Sequence, residues 1–348
     1  MQLAWSGDAE RKNMYTLGVS QGHNCSVCLL RNEQVLFHLE NEKYVGIKND
    51  KNEFPIDVLI HILKYTDFID NIVLVQKSDN GLDCVVDYLS LKNIVSSDTK
   101  IFKFVRKYHH VFHAINSAYG SGFENAVCIV TDGSGAYHDG FGLERESIFY
   151  FDGDRVETVK QWYQEVNNYE GDVRGISVGK AFGALRLTND AINIGADESG
   201  KLMGLAPYGN PNPKIPDFFI MKNGKYESNP EMLTISPINK RQCVTDPNFL
   251  SQFKIEDLAY KLQLDTYKVV KQLVEISVEE TKCSKVCLSG GYFYNVVTNY
   301  RLVKDFPNLT FYPDPISGDV GLSMGASKFI VNEIINKKEK IQSLYLGL

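Results

Sequence analysis

His109 and His113 stand four residues apart in KYHHVFHAINSAY. On a helix that spacing puts both imidazoles on one face, which is how a helix offers two nitrogens to one metal ion. It also suits two buried or surface histidines, and the pair alone leaves both readings open. Asp132 leaves the apolar run VCIVT into the turn GSG, and Asp319 stands in the turn SGDVG. Both fall where buried strands would end, a position from which a carboxylate reaches into a cleft, although Asp-Gly is also an ordinary turn pair. Two nitrogens and two carboxylate oxygens, with coordination positions left open, suit iron(II), manganese or zinc better than a closed thiolate site. His110 points away from this face.

The thiols do not compete for the role. Cys25 and Cys28 spell CxxC, but inside an expected strand that spacing sends them to opposite faces. No second CxxC completes a four-ligand site, and Cys283 and Cys287 border another apolar strand. All four read as core residues. His23 lies in the turn QGHN, and Lys48 lies in GIKND after the first hairpin.

These side chains need elements to position them. YTLGVS reads as a buried strand and SVCLLRNEQVLFHLE as a hairpin with Arg31, Asn32 and Glu33 at its tip. A helix follows around FPIDVLIHILKY, with Pro55 near its first turn, and NIVLVQK is another strand. The second half restarts the programme with the strand NAVCIVT and the expected hairpin DGFGLERESIFYFDGD, glutamate and arginine at its tip. Such a repeat predicts two related lobes facing one cleft. KVCLSGGYFYN and ISGDVGLSMGA add two further glycine turns, where backbone N–H groups and helix starts can cradle phosphate. GADESGKLMGLAPYG reads as a long loop without periodicity, of the kind that carries function over a cleft. The expected fold is a two-lobed α/β protein with mixed sheets.

Composition narrows the classes. The chain has 348 residues, 43% of them hydrophobic, enough for two cored domains. No run approaches the roughly 18 apolar residues of a membrane span, and the amino terminus lacks the apolar core of a secretory signal. A net charge of −6 gives no general attraction to nucleic acid, although a local basic strip is compatible with it. Seven cysteines, an odd number, predict reduced thiols and a cytoplasmic location. Residues 1–13 are polar and patternless and read as a leader or a disordered arm.

LGVSQGHNCSVCLL, HHVFHA, TDGSG, GKLMGLAPYG, LSGGYFYN with Asn299, and SGDVG occur in an order that resembles the O-carbamoyltransferases of the NodU/TobZ type. The resemblance runs from about Met14 to about Val331. It implies the actin/Hsp70-like (ASKHA, Kae1-like) ATPase fold, with residues 14–120 plus 312–348 as the first lobe and 121–311 as the second. It implies iron(II) on His109, His113, Asp132 and Asp319, with His23 and Lys48 catalytic. It also places ATP or a carbamoyl-adenylate in the cleft, bracketed by the turns of Gly133 and Ser134, of Gly290 and Gly291, and of Gly318. Asn295 would lie nearby, with Glu198 and Lys201 lining the same cleft.

The pattern departs from the family in three places. His23 is followed by Asn24 rather than aspartate, and the segment 42–50 keeps Lys48 but loses two arginines. The YrdC-like domain that makes carbamoyl-adenylate in the family is missing after Leu348. The resemblance therefore implies carbamoyl phosphate as donor, a hydroxyl acceptor, and either a separate YrdC-like partner or more direct use of the donor. Composition rich in Asn, Lys, Ile and Tyr reads as viral, in a phage for instance, which makes the hydroxymethyl group of 5-hydroxymethylcytosine in DNA the expected acceptor. Arg106, Lys107, Tyr108 and the segment QWYQEVNNY are the expected contacts to a strand and a flipped base. A sugar or natural-product hydroxyl is the alternative acceptor. A nucleotide-binding subunit that acts only with a partner is the alternative of a different class, and N-carbamoylation in tRNA modification ranks below both.

Overall fold

The structure is a computed structural model that describes residues 13–22, 24–47, 54–76, 81–153, 155–166, 173–185, 187–188, 193–194, 198–235, 243–244 and 247–335. His23, Lys48 and the expected leader up to residue 12 lie outside these residues.

Two sheets follow one plan. Tyr15–Ser20 (β1), Ser26–Arg31 (β2) and Gln34–Glu40 (β3) form an antiparallel meander. Its β2–β3 turn uses Asn32 at φ 54°, a left-handed conformation that asparagine tolerates. Asn71–Gln76 (β4) and Lys100–Val105 (β5) add in parallel, giving the order β3-β2-β1-β4-β5. The second sheet opens with Asn125–Thr131 (β6), Tyr137–His138 (β7), Gly142–Asp152 (β8), Arg155–Val166 (β9) and Val173–Arg174 (β10). Three small ribbons intervene: Leu187–Thr188 (β11) with Asn193–Ile194 (β12), Phe219–Lys222 (β13) with Lys225–Ser228 (β14), and Thr234–Ile235 (β15) with Cys243–Val244 (β16). Lys285–Ser289 (β17) and Thr310–Pro313 (β18) complete the order β10-β9-β8-β6-β17-β18. In both sheets an antiparallel run, β3-β2-β1 in the first and β10-β9-β8-β6 in the second, is extended by two parallel strands. The central strands β4, β6 and β17 are continuous apolar runs because both of their faces are covered.

The helices of the first half are Asn41–Val45 (α1), Ile56–Leu59 (α2, running into a 3-10 turn), Asp83–Leu91 (α3) and His109–Ser121 (α4). Those of the second half are Val178–Ala184 (α5), Ser199–Leu205 (α6), Pro247–Leu250 (α7), Ile255–Thr281 (α8), Val296–Asp305 (α9) and Leu322–Ile335 (α10). α2 and α3 cover the outer face of the first sheet, and α8 covers the outer face of the second. The inner helices are exchanged. α4 follows the first sheet but packs on β6, β8 and β17, whereas α10 follows the second sheet and packs on β1, β2 and β4. Phe112, Ile115 and Ala118 of α4 share one core with Leu322, Ala326 and Ile330 of α10 and with strands of both sheets. Each large apolar side chain fully buried there contributes about 1.5–3 kcal/mol.

Three expectations change. Glu144, Arg145 and Glu146 are not a hairpin tip, since β8 runs on to Asp152 and the chain turns at Gly153, with φ 57°. The charged triplet is buried mid-strand, and its groups are paired: Arg145 Nε is 3.1 Å from Glu146 Oε2, and the amide of Val178 donates to Glu146 Oε1. GADESGKLMGLAPYG is partly helical as α6, because Leu202 and Ala206, four apart, are buried in the core that α8 shares. The return to the first lobe, expected at residue 312, falls inside β18, which pairs with β17; the chain crosses only after that strand.

Two predictions follow from this packing. A Cβ on Gly325 would stand 2.2 Å from the Phe112 carbonyl oxygen, so Gly325→Ala should destabilise by about 1–3 kcal/mol despite alanine's better helix propensity. Gly200→Ala on α6, where a Cβ meets open space, should be neutral or stabilising, and urea unfolding of both variants checks the contrast. His38 on β3 donates from Nε2 to the Val320 carbonyl at 2.9 Å, and burial, helped by the charge of Lys328, pushes its pKa down to about 4 against that carbonyl's pull. Below about pH 6.5 the unfolded chain therefore binds a proton that the folded chain refuses, and stability falls as pH drops. Between pH 7.5 and 5 wild type should lose about 2 kcal/mol that His38→Gln does not lose.

Candidate metal and nucleotide site

The exchanged helices set the site. His109 and His113 occupy the first turns of α4, Asp132 follows β6, and Asp319 opens the turn that leads into α10. One ligand atom from each of the four residues can be chosen so that all lie within 4.8 Å of one another. His109 Nε2 is 3.1 Å from Asp132 Oδ2 and 3.4 Å from Asp319 Oδ1. His113 Nε2 is 3.5 Å from Asp319 Oδ1 and 3.3 Å from His109 Nε2. The histidines are buried, and the carboxylates are 13% and 18% exposed, so the quartet opens to solvent on its carboxylate side.

These donors fit a divalent cation. Two imidazole Nε2 atoms facing each other across 3.3 Å cannot both present lone pairs without a positive charge near them. Burial works against charge on His109, but Asp319 and Asp132 outweigh it and push its pKa up to about 10. Burial likewise opposes the Asp319 carboxylate, yet His109 and His113 hold its pKa well below the usual range. The field that draws a proton onto His109 draws a cation equally well.

The backbone holds the Asp132 carboxylate in place. The Gly291 amide donates to Asp132 Oδ1 at 3.2 Å. Gly290 has φ 95°, and a Cβ there would lie 2.2 Å from the Thr131 carbonyl oxygen, so only glycine lets this turn lie against the end of β6. The Gly290 amide donates to the Ser317 carbonyl, and the Ser317 hydroxyl donates back to the Gly290 carbonyl at 2.7 Å. Of the residues expected to form the cradle, Gly133 and Ser134 follow Asp132, Gly318 precedes Asp319, and the Gly290–Gly291 turn lies against Asp132. Gly133 keeps open space at its Cβ position, and the ring of Tyr294 lies across Gly318.

Other expected residues have partners of their own. Asn295 caps α9, accepting from the Thr298 amide, and its side chain pairs with Gln263 through two hydrogen bonds, in the core between α8 and α9. Glu198 and Lys201 form an ion pair with each other at the start of α6. Tyr108 packs on Phe104 and Phe112, and Trp162 packs on the core of the second half, so neither ring is a free stacking surface. His110 turns away from the quartet as expected, with Nδ1 2.8 Å from the Ser147 hydroxyl. Cys25, Cys28, Cys283 and Cys287 are all buried, with Cys25 just before β2 rather than within it.

Sequence reasoning missed two groups. Ser177 caps α5 and its hydroxyl donates to the Gly133 carbonyl at 2.8 Å, bracing the turn that carries Asp132. Glu144 accepts from the Ala136 amide and from Gln161, and lies 3.2 Å from His138. The run of apolar residues after Glu146 was the available signal that this triplet belonged to a strand.

The family described as "Carbamoyltransferase N-terminus" matches residues 57–328. The chain belongs to this family. Nodulation protein NolNO of Sinorhizobium fredii is 24% identical over 93% of this chain and 49% of its own length. Nodulation protein NolO of Bradyrhizobium diazoefficiens is 22% identical over 69% of this chain and 41% of its own length. The chain thus spans about half the length of the curated relatives it matches. Among solved structures, full-length HypF in a phosphate- and nucleotide-bound form superposes with a TM-score of 0.54 at 13% identity, covering 92% of this chain and 56% of that one. The HypF of T. kodakarensis gives 0.55 at 13% identity over 93% of this chain and 48% of that one. The fold is the actin/Hsp70-like one, as the duplicated sheets and exchanged helices lead one to expect. Among the described residues no helix is long and apolar enough to cross a membrane.

His113→Ala removes one of two nitrogen donors and should lower affinity for iron(II) or manganese by more than the ~10–100-fold typical of losing an outer-shell partner. Ser177→Ala should fall within that smaller range. Equilibrium dialysis with metal analysis distinguishes the two.

Proposed function

We propose that the chain is a metal-dependent O-carbamoyltransferase, moving the carbamoyl group of carbamoyl phosphate, by way of carbamoyl-adenylate, to an acceptor hydroxyl. The observation that carries the reading is the His109, His113, Asp132 and Asp319 cluster at the meeting of three strand-end turns, in a chain of the carbamoyltransferase N-terminus family. A divalent cation held there, iron(II) by resemblance, would polarise the carbamoyl oxygen and offset charge on the phosphate. The amides of the turns at Gly133, Ser134, Gly290, Gly291 and Gly318 would receive phosphate and nucleoside, and HypF, a protein of this fold, has been solved with phosphate and nucleotide bound. Lys48 would stabilise the leaving group, and His23 would orient or deprotonate the acceptor hydroxyl; both roles rest on the family resemblance. The acceptor proposed is a hydroxymethylated pyrimidine in DNA, with the hydroxyl of a sugar or natural product as the alternative. Either a separate YrdC-like protein would supply the adenylate, or the chain would use carbamoyl phosphate more directly, and only the second route gives product from the purified chain alone.

The test incubates purified protein, iron(II) and carbamoyl phosphate, with and without ATP, with DNA containing 5-hydroxymethylcytosine, the free nucleoside, and simple sugars. Mass spectrometry should find an acceptor heavier by one carbamoyl group, and His113→Ala should abolish both the product and the bound metal. Full activity in a metal-free His113→Ala protein would overturn the mechanism.

A further inference from the structure

The first sheet reaches the metal cluster through a carbonyl. Asp319 opens the short turn that leads into α10, and the next residue, Val320, presents its carbonyl oxygen to β2 and β3. Two buried side chains donate to that oxygen. The Ser26 hydroxyl comes from the start of β2 at 2.8 Å, and His38 Nε2 comes from β3 at 2.9 Å. A carbonyl only accepts, so Nε2 carries the proton. The turn itself is closed: the Gly321 amide donates to the Gly318 carbonyl at 2.9 Å, and a Cβ on Gly321 would collide with the Ile316 carbonyl oxygen. A shift of the Val320 carbonyl therefore carries Asp319 with it, and Asp319 Oδ1 lies 3.4 Å from His109 Nε2 and 3.5 Å from His113 Nε2.

The Ser26 hydroxyl has its whole bonding capacity in use. It lies 2.9 Å from the Ser20 hydroxyl and 2.7 Å from the Ser323 hydroxyl, and all three are buried. A hydroxyl has one proton and two lone pairs. With its proton on the Val320 carbonyl, Ser26 accepts from both Ser20 and Ser323, and its direction is fixed. Ser20 accepts in turn from the Ser26 amide at 3.2 Å. Ser20 and Ser26 also face each other as the last cross-strand pair before the connection 21–25, the turn on which His23 stands. The seam between α10 and this hairpin is tight, since a Cβ on Gly18 of β1 would collide with Ser327 Oγ and with the Ser323 carbonyl oxygen. Leu30, Met324 and Val331 make the rest of the seam apolar. Hydroxyl bonds buried there replace bonds to water and bring little net stability; what they supply is direction.

We infer that Ser26 and His38 are positioning residues of the metal site: their two bonds to the Val320 carbonyl fix where the Asp319 carboxylate stands relative to His109 and His113. Neither side chain is a ligand. The inference rests on reading the four-residue cluster as a metal site, and it adds the part of the first sheet that holds it. Asp132 is held from the second half of the chain, by the Gly291 amide. The two carboxylates are thus set from opposite halves, Asp319 by the hairpin that also carries the His23 turn.

The test reads the metal rather than turnover. Equilibrium dialysis gives the affinity for manganese(II), and the visible absorption of bound cobalt(II) reports the ligand geometry. Ser26→Ala should weaken manganese about tenfold, in the range of outer-shell partners, and shift the cobalt bands. His38→Phe, which keeps a ring but cannot donate, should do the same. His38→Gln, whose side-chain amide still donates, should keep the wild-type affinity and bands. Ser20→Ala separates positioning from ordinary structural support: it deletes a hydroxyl from the same buried group but leaves both donors on Val320. It should lose stability to urea as Ser26→Ala does, with manganese affinity and cobalt bands unchanged. Wild-type affinity and bands in folded Ser26→Ala and His38→Phe, or an equal loss in Ser20→Ala, would overturn the assignment. Should Ser26→Ala fail to fold, the two His38 variants decide it. A wild type that binds neither ion would instead overturn the metal reading itself, and the inference with it.

Discussion

The contact between α4 and α10 is the constraint on which the rest depends. Gly325 lets the second helix lie against the Phe112 carbonyl of the first, closer than any residue with a Cβ would allow. Because each of these helices packs on the sheet of the opposite half, separating them would uncover both inner sheet faces at once. The same contact brings the histidines of α4 beside the aspartate that precedes α10. The convergence of His109, His113, Asp132 and Asp319 is therefore a by-product of core packing, and its geometry is as stiff as the core.

Close packing has an electrostatic consequence. Two carboxylates and two imidazoles converge in a largely buried place, where unpaired charge is costly. The protein meets this partly from its own backbone, with the Gly291 amide on Asp132 and with hydrogen bonds tying the Gly290 turn to Ser317. The remainder is left to whatever positive charge the cluster holds. Glu144 and Glu146 meet the same cost with protein partners. Each is surrounded by amides, a histidine or an arginine, and each braces a segment next to the Asp132 turn.

Much of this was legible in one sequence. The meander of β1 to β3, the apolar strands β4, β6 and β17 and the histidine face of α4 all announce themselves through periodicity or through a run of β-branched residues. The duplication was visible because each half starts with the same strand and hairpin. Misreadings came where local rules and tertiary context disagree. Glu144, Arg145 and Glu146 carry the polarity of a turn, and only the partners waiting on β9, α5 and the Asp132 turn make them strand residues. Gly200 and Gly204 disguise α6, whose apolar contacts to the core come from Leu202 and Leu205, with Ala206 just after its end.

The sequence by itself determined which segments are buried, which ends of strands carry carboxylates and which two histidines share a helical face, because these depend on neighbours within a few residues. Tertiary structure decided what those pieces meet. The exchange of α4 and α10 between sheets, the pairing of Asn295 with Gln263, and the placing of His138 between Glu144 and Tyr163 all join residues far apart in the chain. Such contacts depend on side-chain volumes and hydrogen-bond partners that exist only once the two sheets have closed on the helices between them. No local pattern encodes them.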